Sequence, residues 1–259
     1  MKKVVAIALA LTLALSFFLI ACGNNEGNST EIPPTSTPSN SQSENDTTTP
    51  APAPAPSPPL AEPEKVEIDL AGMEITDEQL ARMVADGEIP ANVTNLLLWG
   101  NQITDISPLS WLSNLRVLTV ADNQISDLTP LSGLTSIIDL GIAANPISDL
   151  KPLNGLRNLI ELHMLGILTD DLSPLIGLSN LAVLYISSDL ISDIEPLRGL
   201  TALTYLYLRA EKINDLTPLH GLQNLTHLQL DITMSQLELD SLVAALPNCV
   251  LMYEYSVIT

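Results

Sequence analysis

Aromatic residues are scarce: 2 Trp, 5 Tyr and 2 Phe in 259 residues, or 3% of the chain. Apolar residues still make up 46%, so a core has to be built from Leu and Ile rather than from rings. Basic residues are also few, 10 Lys and Arg against 30 Asp and Glu, for a formal net charge of -20. Nucleic acid is excluded as a partner, because phosphate binding needs clustered Lys and Arg. With 2 Cys and 3 His there is little material for a metal cage or a disulfide framework, and neither a metal nor a cofactor is expected. The chain has no Gly-x-Ser-x-Gly, no phosphate loop, no His-Glu-x-x-His and no paired Cys motif. His163, His220 and His227 are dispersed, and catalysis needs a nucleophile, base and orienter that converge in a cleft. An enzyme is not expected.

The chain opens with an address. Lys2 and Lys3 precede an apolar run from Val4 to Ile20, the charged and apolar regions of a secretory signal. The run ends in Leu19-Ile20-Ala21-Cys22-Gly23. This resembles the lipobox of bacterial lipoproteins, which implies cleavage before Cys22 and lipidation of its thiol. An ordinary signal or an uncleaved anchor is the alternative. Each buried methylene of an acyl chain contributes roughly 0.8 kcal/mol of membrane attachment. Removing residues 1–21 takes away two Lys and no acid, so the remaining body is repelled by anionic headgroups and the lipid is its only attraction to membrane. Cys249 is then left without a partner, and its setting, Leu246-Pro247-Asn248-Cys249-Val250-Leu251, reads as a buried structural thiol.

Residues 22–65 read as the lipidated Cys followed by a linker of Asn, Ser, Thr, Glu and Pro, with Ala51-Pro52-Ala53-Pro54-Ala55-Pro56 inside. Burial cannot offset the entropy of ordering such a segment. Polyproline II extends about 3.1 Å per residue, so the linker would reach on the order of 100 Å. It reads as a spacer, for example through a cell wall.

From Asn92 the sequence repeats every 22 residues without insertion, beginning at Asn92, Asn114, Ser136, Asn158, Asn180, Ala202 and Asn224. Six repeats are complete, and the seventh breaks down after Leu230. The pattern resembles the leucine-rich repeat, in particular the 22-residue type of internalin-like bacterial surface proteins, over residues 92–230 directly and 66–255 with caps. That resemblance implies an α/β leucine-rich repeat solenoid, with a parallel concave β-sheet, 3₁₀ turns on the convex side and helical caps. The residues agree. Alternation at Leu118 and Val120, or Leu206 and Leu208, marks a short strand with one inward face, and strands recurring at a fixed step stack about 4.8 Å apart. Asn101, Asn123 and Asn145 share one position after the strand, where stacked amides can satisfy backbone groups. Ile167, Asp189, Glu211 and Thr233 take that position later, which predicts a loosened or reshaped turn. Asp105, Asp127, Asp149, Asp171, Asp193 and Asp215 each precede a Pro by three residues and read as caps of a helical turn. A column of Ca²⁺ ligands is the sharper alternative, but Ca²⁺ wants six to eight converging oxygens.

A solenoid must close its ends. Residues 66–91 read as an N-terminal cap, with a strand at Val66–Leu70 and a helix capped by Thr76 and Gln79. Residues 92–234 are the repeats. Residues 235–259 read as a C-terminal cap, with a helix from Ser235 to Leu246 and a strand from Val250 to Tyr255.

Outward strand positions line the concave face. They place His163, Tyr185 and Tyr207 in one row, flanked by Tyr205, Arg209 and His227. Tyr and Arg are enriched at binding hot spots. Thr119, Ala121, Gly141 and Ala143 suggest a hollow beside them, rimmed by Trp99. Aromatic residues also favour strands, so packing on the sheet surface stands as the alternative. Together these features read as a membrane-anchored lipoprotein facing outward on a bacterial cell membrane. It binds a protein partner through Trp99, His163, Tyr185, Tyr205, Tyr207, Arg209 and His227. The internalin-like resemblance implies adhesion; interaction with the cell's own envelope is equally open. A glycan or cell-wall module and a non-binding spacer are the other readings.

Overall fold

The computed structural model describes residues 64–253. The signal segment 1–21, Cys22 and nearly all of the linker lie outside them, as do residues 254–259. Nine parallel strands form one sheet in sequence order: β1 (Glu67–Asp69), β2 (Asn95–Leu97), β3 (Val117–Thr119), β4 (Asp139–Gly141), β5 (Glu161–Leu165), β6 (Val183–Ser187), β7 (Tyr205–Arg209), β8 (His227–Asp231) and β9 (Val250–Tyr253). Between β2 and β8 the register advances 22 residues per strand, so Leu96, Leu118, Leu140, Leu162, Leu184, Leu206 and Leu228 form one column. All seven are fully buried. A parallel strand cannot turn straight back, so each repeat returns through a crossover. Here the crossover carries a short 3₁₀ turn: η1 (Ser107–Leu109), η2 (Thr129–Leu131), η3 (Lys151–Gly155), η4 (Ser173–Leu175), η5 (Glu195–Gly199) and η6 (Thr217–Gly221). Leu109, Leu131, Leu153, Leu175, Leu197 and Leu219 point from these turns into the core at 0% exposure, closing it opposite the sheet. The fold is the expected solenoid.

The aspartate column caps the turns. In each repeat the Asp Oδ1 accepts the backbone N–H two residues on, at 2.7–2.9 Å: Ser107 to Asp105, Thr129 to Asp127, Lys151 to Asp149, Ser173 to Asp171, Glu195 to Asp193 and Thr217 to Asp215. The next residue is Pro in every turn. It has no N–H to leave unsatisfied, and its φ already suits a helical turn.

The asparagine ladder explains where the strands stop. Asn123 Nδ2 donates to the carbonyls of Leu98, Val120 and Ala121, and its Oδ1 accepts from Ile103 N–H. Asn145 makes the same set one repeat on, to Val120, Ile142 and Ala143, and accepts from Ile125. Asn101 donates to Leu70 and Leu98 and accepts from Ile75. A continued parallel ladder would give the Leu98, Val120 and Ile142 carbonyls a backbone donor on the next strand. The side-chain amides occupy them instead, and β2, β3 and β4 end after three residues. The residue just before each Asn turns out of the sheet with positive φ: Gly100 at 69°, Asp122 at 53° and Ala144 at 51°.

Past Asn145 the ladder ends, and the turn is reshaped rather than loosened. Ile167 is 2% exposed and joins the core, while Asp189, Glu211 and Thr233 face solvent. Strands β5 to β8 run for five residues each, paired along their whole length. Ser188 and Thr169 hold the turn by another route. Ser188 Oγ donates to Thr169 O at 2.8 Å, and Thr169 Oγ1 accepts Asp171 N–H.

At the leading end, helix α1 (Asp77–Ala85) carries a complete capping box between Thr76 and Gln79 and buries Leu80 and Val84. Asp77 reaches onward and accepts the N–H groups of Thr104 and Asp105, tying the helix to the first repeat. At the trailing end, helix α2 (Gln236–Ala245) repeats the device with Ser235 and Glu238. Cys249 is half-buried rather than buried; it packs against the core edge, and burial pushes its thiol pKa up. Among the described residues no helix is long and apolar enough to cross a membrane.

Candidate functional site

The alternation that buries one face of each strand exposes the other. Two rows cross the sheet on the concave side. One contains Asn95, Val117, Asp139, Glu161, Val183, Tyr205 and His227; the other contains Leu97, Thr119, Gly141, His163, Tyr185, Tyr207 and Gln229. The register brings the expected residues of β5 to β8 together. The His163 and Tyr185 rings stack at 4.7 Å with an interplanar angle of 15°. Tyr185 meets Tyr205 at 5.0 Å and Tyr207 at 6.2 Å, and Tyr205 meets His227 at 6.2 Å. These are separations at which rings attract beyond simple area burial. Tyr185 is the centre of the group. Its burial, with Tyr205 beside it, pushes its phenol pKa well above the usual value, so it remains a neutral hydroxyl.

The rim is polar. Tyr205 OH donates to Gln229 Oε1 at 3.4 Å. Arg209 Nε lies 3.3 Å from Asp231 Oδ2, both about half exposed, so the guanidinium reaches solvent already paired. Thr226 Oγ1 is 3.0 Å from His227 Nδ1.

Trp99 does not join this group. It follows β2, four strands from β6, about 19 Å away at the usual strand spacing. It is 39% exposed. The hollow that it was expected to rim is filled at its centre. Thr119 is 2% exposed. A Cβ on Gly141 would lie 2.8 Å from Thr119 Oγ1 and 3.2 Å from Thr119 Cβ. The threonine side chain occupies the space that glycine leaves, so small residues here mean close packing and not a cavity.

Sequence reasoning missed two parts of this face. Val250 and Met252 of β9 continue the two rows beside His227 and Gln229, and they are 54% and 39% exposed. Leu228 pairs with Leu251, a step of 23 rather than 22, so strict phase counting loses them. The short apolar run Val250-Leu251-Met252, following the helix and its Pro247, is the signal that finds them. The second omission is Asp139, which lies half-buried beside Glu161 and His163. Burial pushes its carboxyl pKa up to about 6; His163 opposes the shift and Glu161 adds to it. The folded chain therefore holds this proton more tightly than the unfolded chain. The site costs stability as pH rises through about 6 and is relaxed in acid.

A family model for leucine-rich repeats, in two copies, matches residues 91–133. The crystal structure of an internalin C2 from Listeria monocytogenes is 31% identical, with a TM-score of 0.61, over 73% of this chain and 80% of that one. The chain belongs to the internalin-like leucine-rich repeat family. An internalin F of the same organism is 27% identical at a TM-score of 0.55, over 75% of this chain and 63% of its own. A leucine-rich repeat protein of Leptospira interrogans is 26% identical at 0.57, over 62% of this chain and 43% of its own. This internalin-like chain thus spans less than two thirds of those latter two. No curated protein matches the sequence significantly. Repeat solenoids of this kind are protein-interaction scaffolds that use their extended concave surface.

Proposed function

We propose that this chain is an outward-facing bacterial surface lipoprotein. In this reading Cys22 is lipidated, the Pro-rich segment spaces the repeats from the membrane, and a protein partner docks on the concave face of β5 to β9. The observation that carries the docking site is the row His163, Tyr185 and Tyr207, its first pair stacked and its second tilted, with Tyr205 and His227 packed beside it. Exposed Val250 and Met252 extend it. Three Tyr of the 5 in the chain stand on this one face, where a partner can bury large apolar area and still bond to the hydroxyls. The Leu19-Ile20-Ala21-Cys22 run supports the anchor.

Two experiments test the reading. The first compares the full chain with the Tyr185→Ala, Tyr205→Ala, Tyr207→Ala triple variant for capture of proteins from envelope and host-surface extracts. A partner lost at least tenfold in the variant supports the site. A partner retained undiminished, or binding only to purified wall polysaccharide, overturns it. The second feeds cells an alkyne-tagged fatty acid. Label that is present in the native chain and absent from Cys22→Ser supports the anchor, and label in both or in neither refutes it.

A further inference from the structure

We propose that Asp139, Glu161 and His163 form a binding site for a divalent transition-metal cation of the zinc type on the concave face. The three side chains come from β4 and β5 and each offers one ligand atom, all within 4.8 Å of one another. Register alone assembles them. Asp139 and Glu161 are direct partners in one row, and His163 stands in the next row, partnered with Gly141, which has no side chain to intervene. Nothing in the linear spacing announces such a set. Two features favour a cation over a simple polar patch. Asp139 Oδ1 is fully buried and has no hydrogen-bond partner, and burying a carboxylate oxygen unpaired is costly. His163 Nε2 and Glu161 Oε2 already face each other at 3.6 Å, so two carboxylates and an imidazole converge on one volume.

The donors select the metal class. Zinc takes His nitrogen at about 2.0–2.1 Å and carboxylate oxygen at about 2.0–2.2 Å, commonly with three protein ligands and an open fourth position. Calcium takes six to eight oxygens, and one nitrogen with two carboxylates does not supply them. The stack of His163 on Tyr185 fixes the ring as an outer-shell partner does. Water or a docking group would complete the shell. The inference does not depend on the proposed function, because the site would bind metal with or without a protein partner.

The test uses the full chain, stripped with chelator and dialysed, titrated with ZnCl₂ and separately with CaCl₂ by calorimetry, and with CoCl₂ by visible absorption. One zinc per chain at micromolar affinity or tighter is expected, with cobalt bands of four- or five-coordinate intensity. Asp139→Asn and His163→Gln should each weaken zinc at least tenfold, with circular dichroism showing both folded. His220→Gln and Cys249→Ser should leave zinc binding unchanged. No zinc binding at millimolar metal, binding untouched by Asp139→Asn and His163→Gln, or calcium bound as tightly as zinc would each overturn the proposal.

Discussion

The two halves of the repeat array share one register and differ in how each strand ends. In β2 to β4 an asparagine amide takes the carbonyl that would extend the ladder, and the chain leaves through a residue with positive φ, as it also does at Gly166 after β5. In β5 to β8 that amide is absent and the strands run two residues further. Longer strands each add one outward position, filled by Leu165, Ser187, Arg209 and Asp231, beside aromatic rings that stand at positions the short strands also have. The early half therefore works as polar bracing with a small-chained concave surface, and the late half as a broader platform. The difference teaches that one side chain per repeat, placed after the strand, sets how much binding surface that repeat offers.

The largest effect that would break this comparison is loss of a ladder amide. Asn123→Ala strands several buried backbone groups and should cost about 2–4 kcal/mol. Glu211→Ala, at the same repeat position, should change stability by less than about 0.5 kcal/mol. Urea unfolding of both variants checks the pair, and equal losses would abolish the distinction. Next in size is the packed hollow of the early half. Gly141→Ala should cost about 1–3 kcal/mol by overpacking against Thr119. In a double-mutant cycle Thr119→Gly should recover part of that cost, and strict additivity would mean that the two do not touch.

The sharpest comparison is smaller. Ala144 and Ala210 occupy the same repeat position, yet only Ala144 has positive φ, at 51°. Ala144→Gly should stabilise by about 1 kcal/mol by releasing that strain. Ala210→Gly, at a fully buried position outside the positive-φ set, should destabilise by about 1–2 kcal/mol. Thermal melts that move in the same direction for both would contradict the account of the two turns. The smallest effect is shared by the halves. Asp127 and Asp171 are held below the usual carboxylate pKa by bonds from the side chain, then the backbone, of Thr129 and Ser173; for Asp215 the backbone of Thr217 leads. Their contribution is present above an unfolded value near 3.8 and is lost as pH falls through the lower folded values. Asp→Asn at any of the three should flatten the loss of stability below about pH 4, in both halves alike.

Much of this fold was legible because a repeat multiplies weak signals. A single Leu118-x-Val120 pair cannot tell a strand from a helix fragment, but the same pair at six further steps of one length leaves only a stacked sheet. The Asp-x-x-Pro spacing likewise located all six turns, since both residues act locally. The site was less legible. Tyr185, Tyr205, Tyr207 and His163 were found because they share the repeat phase. Val250 and Met252 were lost to one inserted residue. The filled hollow could not be read either, because whether Gly141 opens a space depends on how Thr119 across the strand pair uses it. The Asp139, Glu161 and His163 group needs diagonal distances across two strands, which no linear spacing encodes.

The central claim, that a partner meets the late half of the concave face, is tested most directly by placing a photo-crosslinking phenylalanine derivative at Tyr207 or at Trp111. Trp111 lies just after η1 and is 51% exposed, so it controls for a reactive aromatic group elsewhere on the surface. The account predicts a discrete adduct with one protein species from position 207 and none from position 111. Adducts from 111 alone, or equally from both, would contradict it.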